Sequence, residues 1–571
     1  MAGPGPFELA SEALGPLPVV NHFLARIGLA GRLDRHLPSD DRRLRLAPAT
    51  VIGVVVRNLV VGHLPLYALG EWAAPYQPAL LGLSAGDAEA LNDDRVGRTL
   101  DRLFDADRAT LVTEVVLGVI RDFGLDVSQL HNDSTTVTFS GTYKAATGRA
   151  RGGQATPAIT YGHNKDHRPD LKQLLWVLTV SADGAVPIAY RTEDGNTADD
   201  LTHIPTWDEL RALVGRPDFL YVADCKLANR AAMDHIDRNG GRFVTVLPRT
   251  RREDTEFRDW LYGHDPDWTE AHRRAGRRHG DPDEVWHTTP ARAPSAEGHR
   301  VIWVRSSTKI DRDAEARRAR IAKGIAGLDD LNGRLASPKT RIKTIVAVEA
   351  AATAALEGAG AARWMSFTVT ETTEETFGQE KRGRPGANTR YRRRTRTHHR
   401  VAWQVNEHVV SRDAASDGCF PLITNDTVMA AAEILAAYRY QPNLERRNHM
   451  LKGPQEVAPV YLKTPHRIEA LLLCQFLALL TEALIERQIR TAMKTAELHN
   501  IPLYPELRAC PAPSAPRVLE IFNGVARHHL IDHGRVAQTF EPTLTPLQHQ
   551  VVDLLGVPAG AYTSATTSGG G

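Results

Sequence analysis

Cysteine is scarce in this chain. Four residues of 571, Cys225, Cys419, Cys474 and Cys510, with no C-x-x-C spacing among them, exclude a disulfide scaffold and a zinc ribbon. An excess of one charge is lacking too. Lys and Arg number 70 against 68 Asp and Glu, a formal net charge of +2, so the overall balance does not by itself suggest a nucleic-acid partner. No segment is read as a membrane span, which needs roughly 20 apolar residues; the apolar stretch 51–61 is broken by Arg57 and Asn58. No basic region leads into an apolar core near the start, so a signal peptide is not expected and a cytoplasmic protein is. The absence of a P-loop pattern and of H-E-x-x-H among the 23 histidines disfavours ATP use and zinc hydrolysis. What is present is length and an ordinary globular composition, 42% hydrophobic and 24% charged, which predicts more than one domain.

The pattern changes along the chain. Residues 1–125 read as helical. In 19–33, Val20, Phe23, Leu24, Ile27 and Leu29 fall at helical spacing until Gly31 loosens it; 49–61 closes near Gly62; Asn92 is placed to cap 93–104. This region is either a plain helical bundle or a domain that recognises a DNA end. From 126 to 250 the runs 129–140, 171–182, 186–191, 219–223 and 242–247 read as strands, the first three as an antiparallel meander, with helices at 199–214 and 229–239. That order is an α/β layout. The block 251–400 is polar, with β-like runs at 300–305 and 364–370, an exposed helix at 312–335, and nine Lys or Arg without an acid across 381–400. Gly383, Pro385 and Gly386 argue that this basic stretch is a loop. Strand character returns at 401–408 and 420–424, helices dominate 427–498, and 501–571 is a Pro-rich region with a short helix and a flexible Ser/Gly tail.

Three acids stand out by context. Asp133 lies in the strand-like run His131-Asn132-Asp133-Ser134-Thr135, where a carboxylate is costly without a use. Asp224 ends the apolar run Phe219-Leu220-Tyr221-Val222-Ala223, and the carboxyl ends of strands are where α/β sites are built. Glu445 lies in the helical run Leu444-Glu445-Arg446-Arg447-Asn448. Carboxylates from two strands and a helix suit hard divalent cations, and two such ions can serve both the attacking and the leaving oxygen of a phosphodiester. Asp126, Asp170, Asp218 and Glu433 are weaker alternatives: a turn, a basic loop, the wrong end of a strand, and a helix position lacking a lysine seven residues on.

The segment Tyr161-Gly162-His163-Asn164-Lys165-Asp166-His167-Arg168-Pro169-Asp170-Leu171-Lys172-Gln173 resembles the one that follows the first catalytic aspartate in bacterial insertion-sequence DDE transposases. Other pieces match in order: Asp133-Ser134-Thr135, Glu193-Asp194-Gly195-Asn196 with Asp199, Val222-Ala223-Asp224, and Asp417-Gly418 through Asn425. Around Glu445 the chain resembles the signature Y-x2-R-x3-E-x6-K, with Tyr438, Glu445 and Lys452 in place and Gln441 departing at the arginine. The resemblance spans nearly the whole chain, most weakly in 250–400 and after 500.

It implies an α/β fold, a ribonuclease-H-like mixed-sheet catalytic core interrupted by a mainly β insertion at 251–400, with a helical N-terminal DNA-end-binding domain. The 221 residues between Asp224 and Glu445, against 91 between Asp133 and Asp224, make room for that insertion. It implies an enzyme of cut-and-paste DNA transposition, in which Asp133, Asp224 and Glu445 hold Mg²⁺, with Mn²⁺ as a substitute. The partners are double-stranded DNA, as terminal inverted repeats and target, and a second copy of the chain in a synaptic homodimer; no membrane is involved, and the place of action is the cytoplasm, at the nucleoid. Expected DNA contacts are Tyr438, Lys452, Lys165, Arg168, Lys172, Lys381, Arg382, Arg384, Arg392, Arg393 and Arg394. Candidates to stack a flipped base are Trp286, Trp303, Trp364 and Trp403, each of which has a packing role as its plainer reading. The rivals are a catalytically inactive transposase-derived DNA-binding protein and a ribonuclease-H-like nuclease without strand transfer.

Overall fold

All five expected runs between 129 and 247 are strands, and their order explains the spacing of the acids. We label them β1 (Gln129–Phe139), β2 (Lys172–Ser181), β3 (Pro187–Glu193), β4 (Leu220–Val222) and β5 (Arg242–Val246). In space they run β3-β2-β1-β4-β5. The first three pair antiparallel, as the meander predicts, while β4 and β5 join parallel to β1 through helical crossovers. The computed structural model describes residues 7–563 apart from 38, 40–43, 145, 277–279 and 453–461; the Ser/Gly tail lies outside the described residues.

By internal packing the chain forms two units, Met1–Thr245 with Ala437–Gly571, and Val246–Ala436. In the first, the helix Pro48–Val61 closes at Gly62, and Asn92 caps Asp93–Asp105 by accepting from the Arg95 amide at 2.9 Å, as expected. The first helical run breaks earlier than expected. Gly28, in the left-handed region at φ 66°, separates Leu17–Ile27 from Leu29–His36, and Gly31 sits inside the second helix.

The helix Pro465–Thr495 is buried on every side from Ile468 to Glu486 and packs against Pro48–Val61, Asp93–Asp105 and β3. By length and composition it could cross a membrane, contrary to the sequence reading: an 18-residue window reaches a mean hydropathy of 2.0. That window is entirely buried within the protein, the behaviour of a core helix. Beyond residue 500 there is more order than expected. The strands Ala526–Asp532 and Arg535–Phe540 form a hairpin, and Glu8–Ala13 pairs with the first of them.

The second unit is not mainly β, which corrects the expectation for 251–400. It has an antiparallel set, β6 (Thr269–Arg274), β7 (Glu284–Pro290), β8 (Arg300–Ser306) and the later β11 (Cys419–Thr424), in the order β11-β8-β7-β6. It also has a 30-residue helix, Ser307–Ala336, and a 15-residue one, Ile345–Ala359, that periodicity did not reveal. The longer helix is not simply exposed: Leu328, Leu331 and Leu335 are buried against Val348, Ala352 and Leu356. The basic stretch 381–400 is not a loop throughout either. β9 (Met365–Gln379) and β10 (Tyr391–Val405) form a long antiparallel hairpin, and Gly383, Pro385 and Gly386 occupy only its turn.

Candidate active site

The parallel ladder between β1 and β4 leads toward two of the three acids. Gln129 lies opposite Leu220 and His131 opposite Val222, an offset of 91 residues. Asp133 and Asp224, separated by the same 91 residues, each lie two residues beyond the last pair of that ladder. Asp224 lies just past the end of β4, where its side chain also caps the turn Cys225–Leu227 by accepting from the Lys226 amide at 3.0 Å.

The helix Gln441–Lys452 is bonded onto β1 on both sides of Glu445. Gln441 donates to the Asn132 carbonyl at 3.0 Å and meets His131 Nδ1 at 3.0 Å. Asn448 donates to Asp133 Oδ2 at 3.2 Å. Residues 441, 445 and 448 share one helical face, so Glu445 belongs to the face that lies on the Asp133 strand. Gln441, the departure from the signature, is therefore a buried bridge to the strand. Neither Gln441 nor Asn448 was singled out for this from sequence, because the partner atoms lie more than 300 residues away.

Electrostatics tie the acids together. Burial pushes the Asp133 carboxyl up to about 6; Lys165 pulls against it, and the charges of Asp224 and Glu445 add to the rise. Tyr438 feels the same acids: its hydroxyl is raised by burial and then by Asp224, Cys225, Glu445 and Asp133. Burial holds His131 down to about 4, hence neutral near pH 7. His203, facing Asp224 and Asp199, is likewise down to about 4, by burial, and its Nε2 is buried without a hydrogen-bond partner.

The donor chemistry fits a hard divalent cation. The three side chains offer oxygen only, and a buried carboxyl crowded by two like charges is a place that a cation relieves. The arrangement is not closed: among the described residues, no three His, Cys, Asp or Glu side chains are gathered as a ligand set.

A carboxyl raised in the folded state, as at Asp133, favours folding fully only below its unfolded value near 3.8, and that contribution is lost as pH rises through about 6. Asp133→Asn removes the charged form. It is expected to be more stable than the parent at pH 7.5, by about 1–3 kcal/mol, and to show no such fall between pH 4 and 6. Thermal denaturation of both proteins at pH 4, 6 and 7.5 measures this; equal pH dependence contradicts it.

Lys165 supplies the nearest cation. Its Nζ donates to the Ser134 carbonyl at 2.6 Å and hydroxyl at 2.8 Å and pairs with Asp199 at 3.0 Å. The sequence runs around 162 and 195 meet here as well. Gln173 donates to the Gly195 carbonyl at 2.7 Å and to the His163 carbonyl at 3.3 Å. A Cβ on Gly195 would collide with the Gln173 backbone, and one on Gly162 with the Gly195 carbonyl. Gly195→Ala is expected to destabilise the protein by about 1–3 kcal/mol or more, read as a lower denaturation midpoint. An unchanged midpoint contradicts the close approach.

The other expected DNA contacts are placed as follows. Lys452 pairs with Asp166 at 2.7 Å, and Arg168 with Asp170 at 2.7 Å. Lys172 donates to the Thr142 carbonyl at 2.7 Å. In the second unit, Lys381, Arg382 and Arg384 are exposed in the turn, and Arg392, Arg393 and Arg394 are exposed on β10. The plainer, packing reading describes three of the four tryptophans, which are buried, while Trp403 is half-buried. Trp286 is buried; Trp303 is buried and stacked on Phe257 with 3.8 Å between ring centroids. Trp364 is buried and donates to Asp413 at 2.8 Å, and Trp403 packs on the helix-and-hairpin core. Exposed aromatics of that unit are Tyr262, Phe377 and Tyr391, the last two flanking the hairpin turn.

Residues 9–117 match a family described as a domain of unknown function (DUF4277). No curated protein matches the chain. Among solved structures, the cryo-EM structure of a piggyBac transposase synaptic complex with hairpin DNA is similar at 9% identity and a TM-score of 0.33, over 83% of this chain and 77% of that one.

Proposed function

We propose that the chain is a DDE transposase of the cut-and-paste kind, with a ribonuclease-H-like core and a site of Asp133, Asp224 and Glu445. One observation carries this reading: Asp133 and Asp224 each lie two residues beyond the last pair of the parallel ladder between β1 and β4, and the Glu445 helix is bonded to β1 at Gln441 and Asn448. The strand order β3-β2-β1-β4-β5, with β2 alone antiparallel to both of its neighbours, supports this reading of the core.

Asp133, Asp224 and Glu445 would hold Mg²⁺, or Mn²⁺ in its place. Bound there, the ion offsets charge at the attacking and leaving oxygens of a phosphodiester. The chain's own groups prepare the site. Above pH 6 the Asp133 carboxyl has lost its proton and is free to act as a ligand. Asn448 orients that carboxyl, and Gln441 fixes the helix that presents Glu445. Lys165 fixes the Ser134 segment beside it. Lys452 and Arg168, released from Asp166 and Asp170, supply cations for phosphates. Hydrolysis at an element end frees a 3′-hydroxyl. That hydroxyl attacks a second phosphodiester in line, making one P–O bond and breaking one.

The test incubates the full chain with Mg²⁺ and a duplex that carries the inverted repeats flanking its own gene. Expected products are an end with a free 3′-hydroxyl and strands joined to a target. Nicking without joining supports a plain nuclease. Binding without cleavage supports a transposase-derived DNA-binding protein. A homodimer on paired ends is expected when the repeats are present.

A further inference from the structure

The β9–β10 hairpin sorts its charge by face. Register places Arg392 opposite Gly378, Arg394 opposite Thr376, Arg396 opposite Glu374 and Arg400 opposite Thr370. Alternate residues of a strand share a face, so these four arginines line one side, with Glu374 as the lone acid among them. The other side carries Arg393 with Glu371 and Glu375, and also every aromatic ring of the two strands that is Phe, Tyr or Trp: Phe367, Phe377, Tyr391 and Trp403. With histidines neutral the two faces differ, +3 against −1. The distal half stands clear of the body: every residue over 370–378 and 391–397 is exposed. Only the base packs, through Met365, Phe367, Val369, Val401, Trp403 and Val405.

We infer that this hairpin is a β-ribbon arm that enters the major groove of duplex DNA with the Arg392, Arg394, Arg396 and Arg400 face toward it. The inference deepens the transposase reading, on which it rests for the choice of DNA as partner. Arg392, Arg394 and Arg396 stand about 6.7 Å apart in turn along an extended strand; Gly378, Thr376 and Thr370 lie across from Arg392, Arg394 and Arg400, and Glu374 across from Arg396. A two-stranded ribbon fits the major groove, and guanidinium groups pair with phosphates and with guanine edges. Single-stranded nucleic acid is the poorer fit, because no Phe, Tyr or Trp lies on the arginine face. The expected set of contacts therefore changes: Arg393, on the opposite face and 3.4 Å from Glu375, leaves it, while Arg396 and Arg400 join it.

The test uses the full chain and a random-sequence duplex, without metal, across 50–200 mM salt. Replacing Arg392, Arg394 and Arg396 with alanine is expected to lower the slope of log affinity against log salt by about 2.7, at roughly 0.9 per phosphate contact. The charge-matched variant Arg312→Ala, Arg318→Ala, Lys339→Ala, altered at exposed positions of the same unit, keeps the parent slope. Guanine N7 methylation weakens the parent and spares the triple variant. A glutamine triple at the same three arginines repeats the measurement if the alanine triple misfolds. Equal slopes for parent and triple, or an equal loss in the control, overturns the ribbon. Cleavage of element ends by the parent, read in parallel, separates the two ideas. Loss of binding in the triple with no parental cleavage sinks the transposase reading and keeps the ribbon. Cleavage with an unaffected triple does the reverse.

Discussion

Asp224→Asn is expected to lower single-turnover cleavage of an element end by about 1000-fold or more, since several kcal/mol of charge stabilisation depends on the ligand set. The fold survives the change. Asparagine is as good a helix cap as aspartate, so the acceptor for the Lys226 amide at 3.0 Å is retained and Cys225–Leu227 keeps its start. What is lost is one negative charge at the end of β4. Asp133→Asn and Glu445→Gln are expected to fall as far, and any pair of these substitutions little further, because groups acting as one unit are not additive. The Asp133 variant combines this loss with higher stability at pH 7.5, a signature that simple unfolding does not give. Activity within tenfold of the parent in any of the three removes that residue from the site.

The strands that carry the site were legible because each is a short Val-, Leu- and Thr-rich run between turn signals, and because Asp133 interrupts such a run where nothing structural asks for an acid. The link between helix and sheet was not. Gln441 reads as a missing arginine in one dimension, and only the approach of β1, 309 residues earlier, turns it into a donor to the Asn132 carbonyl. The second unit was misread for a different reason. Its helix Ile345–Ala359 is rich in alanine and nearly uniform around its circumference, so the periodic signal was faint although alanine's helix propensity was there to be used. Gly383, Pro385 and Gly386 are true turn signals, but a turn accounts for its own few residues and not for the 15-residue strands on either side. For the tryptophans the plainer reading, packing, is the one that burial favours at Trp286, Trp303 and Trp364, as expected of a large apolar ring.

Glu486→Ala is expected to cost about 3–5 kcal/mol of folding stability, the largest single loss outside the acidic triad's effect on rate. Glu486 is fully buried in the core helix Pro465–Thr495 and is surrounded by cations. Arg446 reaches it at 2.6 Å, Arg447 at 2.9 Å and Arg490 at 3.3 Å, and the Ala515 amide donates to it at 3.0 Å. Arg447, itself 1% exposed, also donates to the carbonyls of Ala185 at 3.1 Å and Gly184 at 3.2 Å, so it cannot turn to solvent when its acid is removed. A buried guanidinium without a counter-charge is left behind, two residues from Glu445 on the same helix. Burial alone would raise the Glu486 carboxyl; Arg447, Arg446 and Arg490 overcome it and hold it below its ordinary value. A carboxyl depressed in this way stabilises the fold above its unfolded value and loses that contribution as pH falls through the folded one. The parent and Glu486→Gln are therefore expected to differ most at neutral pH and to converge as pH falls below the ordinary carboxylate range. Chemical denaturation at pH 7 and pH 4 measures both effects. A loss under about 1 kcal/mol for the alanine variant, or a gap that widens in acid, would show that the arginine cluster does not anchor the Glu445 helix to the core.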